Sequence, residues 1–288
     1  MRYAILTNPV SGAMTVDQKR RALAPAAEIL DARIYGLDSG RAAELIQCAR
    51  ELADTCDVLV AAGGDGTFSD IINAIDTSRT PVAYLPLGTG NALHHAFSYR
   101  GKLADIAARI RRAQVRAYDL IDCDGKKRAV MASTGIDATI IRLRDAYRMR
   151  GISGFSAYLR GTLAAYFREY ERVRAEVVVD GVAFEVRNLL SLMVVKQPFF
   201  GFGMKVVPNA RFDGGQLHVL WINSGLLKFA LGGLAAFTIG NRVGIYRPCR
   251  HVEVRLERPL ALQIDGDSAW EASAFNFTVM PGALRIKC

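Results

Sequence analysis

Two glycine-rich turns carry the clearest chemical signal in the chain. Gly63-Gly64-Asp65-Gly66-Thr67 follows the buried-strand run Asp57 to Ala62 and precedes a helical pattern from Phe68 to Ile75. Pro86-Leu87-Gly88-Thr89-Gly90-Asn91 follows the strand-like Pro81 to Leu85 and leads into a second helical stretch. Such turns present backbone N–H groups with no side chain in the way, at the positive end of a helix dipole, and so suit a phosphate. A simpler reading of the first turn is helix capping, with Thr67 as N-cap and Asp70 as its capping-box partner; the two readings are compatible. Near the other end, Asp265-Gly266-Asp267 sets two carboxylates beside a turn. That placement suits ordering a metal-bound phosphate and accepting a hydroxyl proton.

The elements that must position these residues change character along the chain. Strand-like Arg2 to Thr7, Asp57 to Ala62 and Pro81 to Leu85 alternate with helical spacing over Val16 to Leu30 and Gly40 to Ala53. This pattern indicates βαβ units, a parallel sheet, and both glycine turns on its carboxyl edge, where α/β folds bind ligands. Pro25 predicts that the first helix starts late or kinks. From about Tyr118 apolar/polar alternation takes over, as in Ala175 to Val179, Val182 to Asn188, Gln216 to Trp221, His251 to Leu256 and Leu260 to Ile264. Asp124-Gly125 and Asp180-Gly181 lie between such runs and read as tight hairpin turns. The expectation is an α/β protein with an N-terminal parallel-sheet domain over 1–117 and a C-terminal antiparallel β-rich domain over 118–288, with a helical insert from Ile140 to Arg174.

The 288 residues are 51% hydrophobic and 23% charged, enough for a sizeable core. A net charge of +9 favours an anionic partner. From Arg142 to Arg174 eight arginines face only Asp145, Glu169 and Glu171, interleaved with Tyr147, Phe155, Leu159, Leu163 and Phe167. This basic amphipathic segment reads as a membrane-surface contact rather than a nucleic-acid site, since no recognised nucleic-acid motif accompanies it. The apolar Leu226 to Ile239 is too short to span a bilayer. Five scattered cysteines with no CxxC pair argue against disulfides and zinc, and for a cytoplasmic protein. No GxxxxGK[ST] or complete GxGxxG occurs, and the histidines show no ligand spacing.

Asn8-Pro9-Val10-Ser11-Gly12, the two glycine turns, Gly154-Phe155-Ser156-Ala157-Tyr158, Pro208-Asn-Ala-Arg-Phe-Asp213-Gly214 and Gln263-Ile-Asp265-Gly266-Asp267 together resemble the diacylglycerol kinase/sphingosine kinase catalytic superfamily. The resemblance implies an NAD kinase- or phosphofructokinase-like first domain and a β-sandwich-like second domain with ATP between them. It further implies phosphorylation of a lipid hydroxyl with ATP and Mg2+. On it, Asn8, Ser11, Gly63, Gly64, Asp65, Gly66, Thr67, Asp70, Gly88, Thr89 and Asn91 hold the nucleotide. Asp213 and Asp265 are carried over as metal residues, and Asp267 or Asp65 as proton acceptor.

Two departures qualify the resemblance. Ala92 stands where many bacterial members have Asp, as in the Gly-Asn-Ala-Leu of sphingosine kinases, and Asp267 replaces their Glu. The expected partner is a lipid at an anionic membrane surface, with no nucleic acid, a peripheral location and a homodimer left open. An NAD kinase-like enzyme and a non-catalytic nucleotide- or lipid-binding regulator are the alternatives.

Overall fold

The computed structural model describes all residues except 13, 40, 41, 89, 153, 170 and 171, and leaves the side chains of 42 and 226 undescribed. The chain forms two compact units, Met1–Tyr118 with Gly282–Cys288, and Asp119–Pro281.

In the first unit β1 (Tyr3–Thr7), β2 (Arg33–Tyr35), β3 (Val58–Gly63) and β4 (Val82–Pro86) pair in parallel in the order β2-β1-β3-β4. α1 (Val16–Leu30) follows β1, α2 (Ala42–Thr55) follows β2, and α3 (Asp65–Ala74) follows β3. α4 (Ala92–Ala96) and α5 (Leu103–Arg112) complete the unit's helices. α1 packs on α5 and α2 on α3, so β1 and β3 are buried along their whole length. This explains their continuous apolar runs. The strand order reverses between β1 and β3, the position where open α/β sheets bind ligands.

Two local expectations need correcting. α1 runs through Pro25 from a capping box at Thr15 and Gln18, so it does not start late. α3 starts at Asp65 with Gly64 as N-cap, which puts Thr67 inside the first turn rather than at the cap.

The second unit holds the end of β5 (Val115–Cys123), β6 (Lys127–Ala129), β7 (Met131–Gly135), β8 (Val173–Val179), β9 (Val182–Leu189), β10 (Ser191–Val195), β11 (Leu217–Ile222), β12 (Ile245–Cys249), β13 (His251–Ile264) and most of β14 (Asp267–Lys287). β12-β11-β10-β7 pair antiparallel, and β7 continues onto the end of β13. The start of β13 instead pairs with β8, and β8 with β9. A register irregularity between Arg255 and Leu260 lets β13 serve both groups, giving a β-sandwich. Its core includes Ile121, Trp221, Val254, Ile264, Phe275 and Phe277. The last residues of β14, from Gly282, return to the first unit, where Ile286 pairs in parallel with Val82. The sequence, read as one β-rich run to residue 288, gave no sign of that return.

The helical insert is two helices, α6 (Ile136–Met149) and α7 (Gly154–Arg168), shorter than the expected span because Arg174 already belongs to β8. α8 (Leu226–Ala236) lies between β11 and β12. Strand alternation explains why β10 is buried on both faces: Leu192 and Val194 point into the sandwich, while Met193 and Val195 join Ile141 and Ala236 in a second cluster.

α7 meets α6 through the small residues Ala157, Gly161 and Ala165, all buried. A Cβ at Gly161 would stand 2.9 Å from the Ile140 carbonyl and 3.0 Å from the Arg144 amide. Gly161→Val should therefore push the helices apart and lower stability by about 1–3 kcal/mol, the usual cost of overpacking. A drop in the urea midpoint checks this, and an unchanged midpoint counts against close α6–α7 contact.

Candidate functional site

Three loops gather at the carboxyl edge of the first unit's sheet. Leu87 and Gly88 donate their amides to the Gly63 carbonyl at 2.9 and 3.2 Å, tying the second glycine turn to the first. A Cβ on Gly88 would fall 2.4 Å from the Gly64 Cα, so the backbones touch and only glycine fits at residue 88. The loop from Asn8 comes close as well, since a Cβ on Gly12 would sit 3.5 Å from the Leu87 carbonyl oxygen. The N-cap of α3 is Gly64, which has no side chain with which to cap it. The result is a backbone cradle with a helix's positive end facing an open loop, which fits a phosphate chain.

Asp65 accepts from the Ala92 amide through Oδ2 at 2.9 Å and from the Leu93 amide through Oδ1 at 3.2 Å. Its carboxylate thus clamps the start of α4. Asn91 adopts a left-handed φ of 42°, accepts from the buried Tyr84 hydroxyl at 3.0 Å and donates to the Gly88 carbonyl at 2.6 Å. Asn8 Oδ1 accepts from the Val10 amide, and the Ser11 hydroxyl donates to the Asn8 carbonyl at 2.9 Å. Thr67 is buried under Gly63 and Asp70 is half-buried on α3. Thr89 lies outside the described residues.

One residue here escaped the sequence reading. Lys19, 1% exposed, donates from Nζ to the carbonyls of Asn8 (2.7 Å), Pro9 (2.8 Å) and Ser11 (2.6 Å). The ammonium gathers three carbonyls of the first loop on its inner side. The available signal was positional: Lys19 shares the buried face of α1 with Leu23, Ala26 and Leu30.

The second unit holds the carboxylates of the Asp-Gly-Asp hairpin. Asp265 and Gly266 form a two-residue turn with φ of 50° and 89°, and Ile264 pairs with Asp267 across it. Asp265 Oδ1 accepts the amides of Val130 (3.0 Å) and Met131 (2.9 Å). Gln263 fixes the turn from inside, accepting from the Gly266 amide and donating to Ser133 Oγ at 2.7 Å. Asp267 is half-exposed, with Arg144 Nη2 3.8 Å from its Oδ1. Burial raises its carboxyl above the ordinary value, opposed mainly by the Arg144 and Lys127 charges.

Asp213 lies at the surface, 3.6 Å from Arg211. Its loop is held instead by Asp119, which accepts the Gly215 amide at 2.7 Å and pairs with buried Lys196 at 2.9 Å. His218 also fixes that loop, accepting the Arg211 amide at 2.9 Å, with burial pushing its pKa down to about 4. Among the described residues no group of three or more His, Cys, Asp or Glu side chains could hold a metal ion. Asp213 is paired with Arg211 at the surface, whereas Asp265 locks a turn.

The same unit has a partly open apolar cavity of about 120 Å³, with Ile140, Met193, Phe200, Phe229 and Ala236 in its lining. Asp137 and Tyr158 are polar groups in its wall. Asp137 accepts from the Ser191 hydroxyl, and burial pushes its carboxyl up to about 6. Tyr158 feels both Asp137 and Arg144, so the cavity wall and the Asp267–Arg144 pair are electrostatic neighbours.

A parallel α/β unit with glycine loops at its carboxyl edge, in one chain with an antiparallel β-sandwich, is the architecture of kinases of the diacylglycerol kinase class. The chain belongs to that family: the diacylglycerol kinase catalytic domain matches residues 2–123, and the YegS C-terminal NAD kinase beta sandwich-like domain matches residues 130–288. It is 29% identical over 259 residues to a "Probable lipid kinase YegS-like" protein of Pseudomonas fluorescens, covering 86% of this chain and 82% of that one. A Staphylococcus aureus "Diacylglycerol kinase" is 25% identical over 282 residues, covering 92% and 86%. A crystal structure of a diacylglycerol kinase from Bacillus anthracis str. Sterne shares the fold at a TM-score of 0.72 and 17% identity, covering 99% of this chain and 96% of that one. The protein is a kinase, a phosphotransferase of the lipid kinase family. Among the described residues no helix is long and apolar enough to cross a membrane.

Lys19→Met removes the donor to three buried carbonyls and should destabilise the protein by about 1–3 kcal/mol, the cost of leaving buried acceptors unsatisfied. Urea unfolding measures it, and wild-type stability would show that water replaces the ammonium.

Proposed function

We propose that the protein transfers the γ-phosphoryl group of ATP to a hydroxyl of a chain-bearing lipid, of the diacylglycerol, sphingoid or a related class. The observation that carries the reading is the apolar cavity whose wall shares Arg144's electrostatic neighbourhood with Asp267. An apolar wall suits a hydrocarbon chain and disfavours NAD, a polar dinucleotide. The phosphates would lie on the amides around Gly64 and Gly88 and at the start of α3, with Asn8, Ser11 and Asn91 shaping the loops around them. ATP is expected as its magnesium complex, the cation being held largely by phosphates and water.

Asp267 is the better candidate for proton acceptor. Both oxygens of Asp65 accept backbone amides, whereas Asp267 is half-exposed and its raised pKa brings it nearer the operating pH. Asp267 takes the proton of the lipid hydroxyl as that oxygen bonds to the γ-phosphorus. The bond from the γ-phosphorus to the β–γ bridging oxygen breaks, and ADP leaves.

Transfer of labelled phosphate from ATP to a panel of diacylglycerols, sphingoid bases, other lipids and NAD tests the acceptor. Labelling of NAD alone overturns the lipid reading. Asp267→Asn should keep ATP affinity and lose turnover by roughly 10²–10⁴, the usual worth of a general base. Near-normal turnover would return the role to Asp65.

The pH profile supplies a second check. Turnover needs ionised Asp267, so it should fall as pH drops through a carboxyl pKa above the ordinary ~3.9. Because Arg144 lowers that pKa, Arg144→Gln should move the acid limb to higher pH. A limb that stays in place removes Asp267 from the titration.

A further inference from the structure

α7 and α8 flank the cavity, and each turns an apolar stripe to solvent. On α7, Phe155, Leu159, Leu163 and Phe167 recur every four residues and are 45% to 75% exposed, on a different face from the small residues packed against α6. On α8, Leu227, Leu231 and Leu234 are each more than half exposed, and the chain just beyond adds exposed Phe237 and Ile239. Large apolar side chains exposed in this regular way mark an interaction surface rather than chance.

The charges around these stripes name the partner. Arg160 and Arg168 on α7, Lys228 on α8, and Arg148 and Arg150 beside the highly exposed Met149 are all exposed. Among the described residues, the nearby acids Glu169 and Asp145 are taken up, the first by Arg142 and the second by Arg144 and Arg148. We propose that the α7–α8 face docks the protein on an anionic lipid bilayer, with the leucine and phenylalanine stripes among the acyl chains and the arginines at the headgroup phosphates. A bilayer meets both features at once, an apolar interior under a negatively charged surface. Both helices also contribute residues to the wall of the apolar cavity. The inference stands apart from the phosphoryl-transfer reading, because docking is measured without ATP.

Co-sedimentation of the full chain with vesicles of phosphatidylcholine alone, or of equimolar phosphatidylcholine and phosphatidylglycerol, tests it. Binding should require phosphatidylglycerol and weaken as salt shortens the Debye length from about 10 Å at 0.1 M to about 3 Å at 1 M. Arg160→Gln and Arg168→Gln should each weaken it about fivefold, equivalent to ~1 kcal/mol per basic residue at such a surface. Leu163→Gln and Leu231→Gln lie outside the cavity wall and should each cost about tenfold, the worth of a partly inserted leucine. If the leucine variants unfold, the arginine variants carry the test. Binding indifferent to lipid charge or to all four substitutions overturns the proposal. So does a solution dimer that the leucine variants dissolve while vesicle binding is absent, which would assign the face to a second copy of the chain.

Discussion

Because the Asp65 carboxylate accepts the first two amides of α4 while the Gly63 carbonyl accepts those of Leu87 and Gly88, the two glycine turns are held as one surface. That constraint decides the local sequence. Residue 88 must lack a side chain because its α-carbon faces that of Gly64, and Asn91 must tolerate a left-handed backbone to bring the α4 amides onto Asp65. Lys19 does for the first loop what Asp65 does for the second. In each case a buried or half-buried charge satisfies backbone groups on the protein side of the loop. Loops fixed in this way need little reordering when an anion arrives, the condition under which backbone dipoles contribute most to binding and to charge stabilisation.

The second unit solves a different problem. β10 and β11 bury both faces, one in the sandwich and one under the helices, so α6, α7 and α8 are needed to cover apolar side chains such as Met193 and Leu220. α7 adds Tyr158 to that cover, but it meets α6 through its smallest residues. Ala157, Gly161 and Ala165 bring the α6 backbone close, which leaves the larger residues of α7 for other contacts. The space that remains between α7 and α8 is the cavity. The protein keeps Asp137 there, beside Ser191, at the expense of a desolvated carboxyl.

Much of this was legible in the sequence, for identifiable reasons. Gly-rich turns after apolar runs report backbone geometry directly, so the loops and the parallel sheet could be read from residue types. The Asp-Gly pairs at 124, 180 and 265 all place Asp in the left-handed region, as hairpin turns require. The start of α3 was misplaced because Thr67 looks like a cap and Gly64 does not; the helix begins three residues earlier, and Thr67 packs against Gly63, where a Cβ would lie 2.6 Å from its side chain. Lys19 and Asp137 were missed because a lone charge in an amphipathic pattern reads as solvated. Each is buried for a tertiary reason, the first by carbonyls of a loop and the second by the layer of helices over the sheet. The return of Gly282–Cys288 to the parallel sheet leaves no local trace, since a strand's periodicity does not say which sheet it joins.

The hairpin at Asp265 and Asp267 shows how two equal carboxyls two residues apart take different roles. Asp265 occupies the first corner of the turn, where its short side chain folds back on the Val130 and Met131 amides and stabilises the turn. Asp267 is the first residue of β14, opposite Ile264, where no turn geometry constrains its side chain. Partial burial raises its pKa and Arg144 lowers it again. A carboxylate balanced between these two effects is more basic than an ordinary exposed one. Asp at this position, with a shorter reach than Glu, makes the placement of α6, which carries Arg144, part of what sets that basicity.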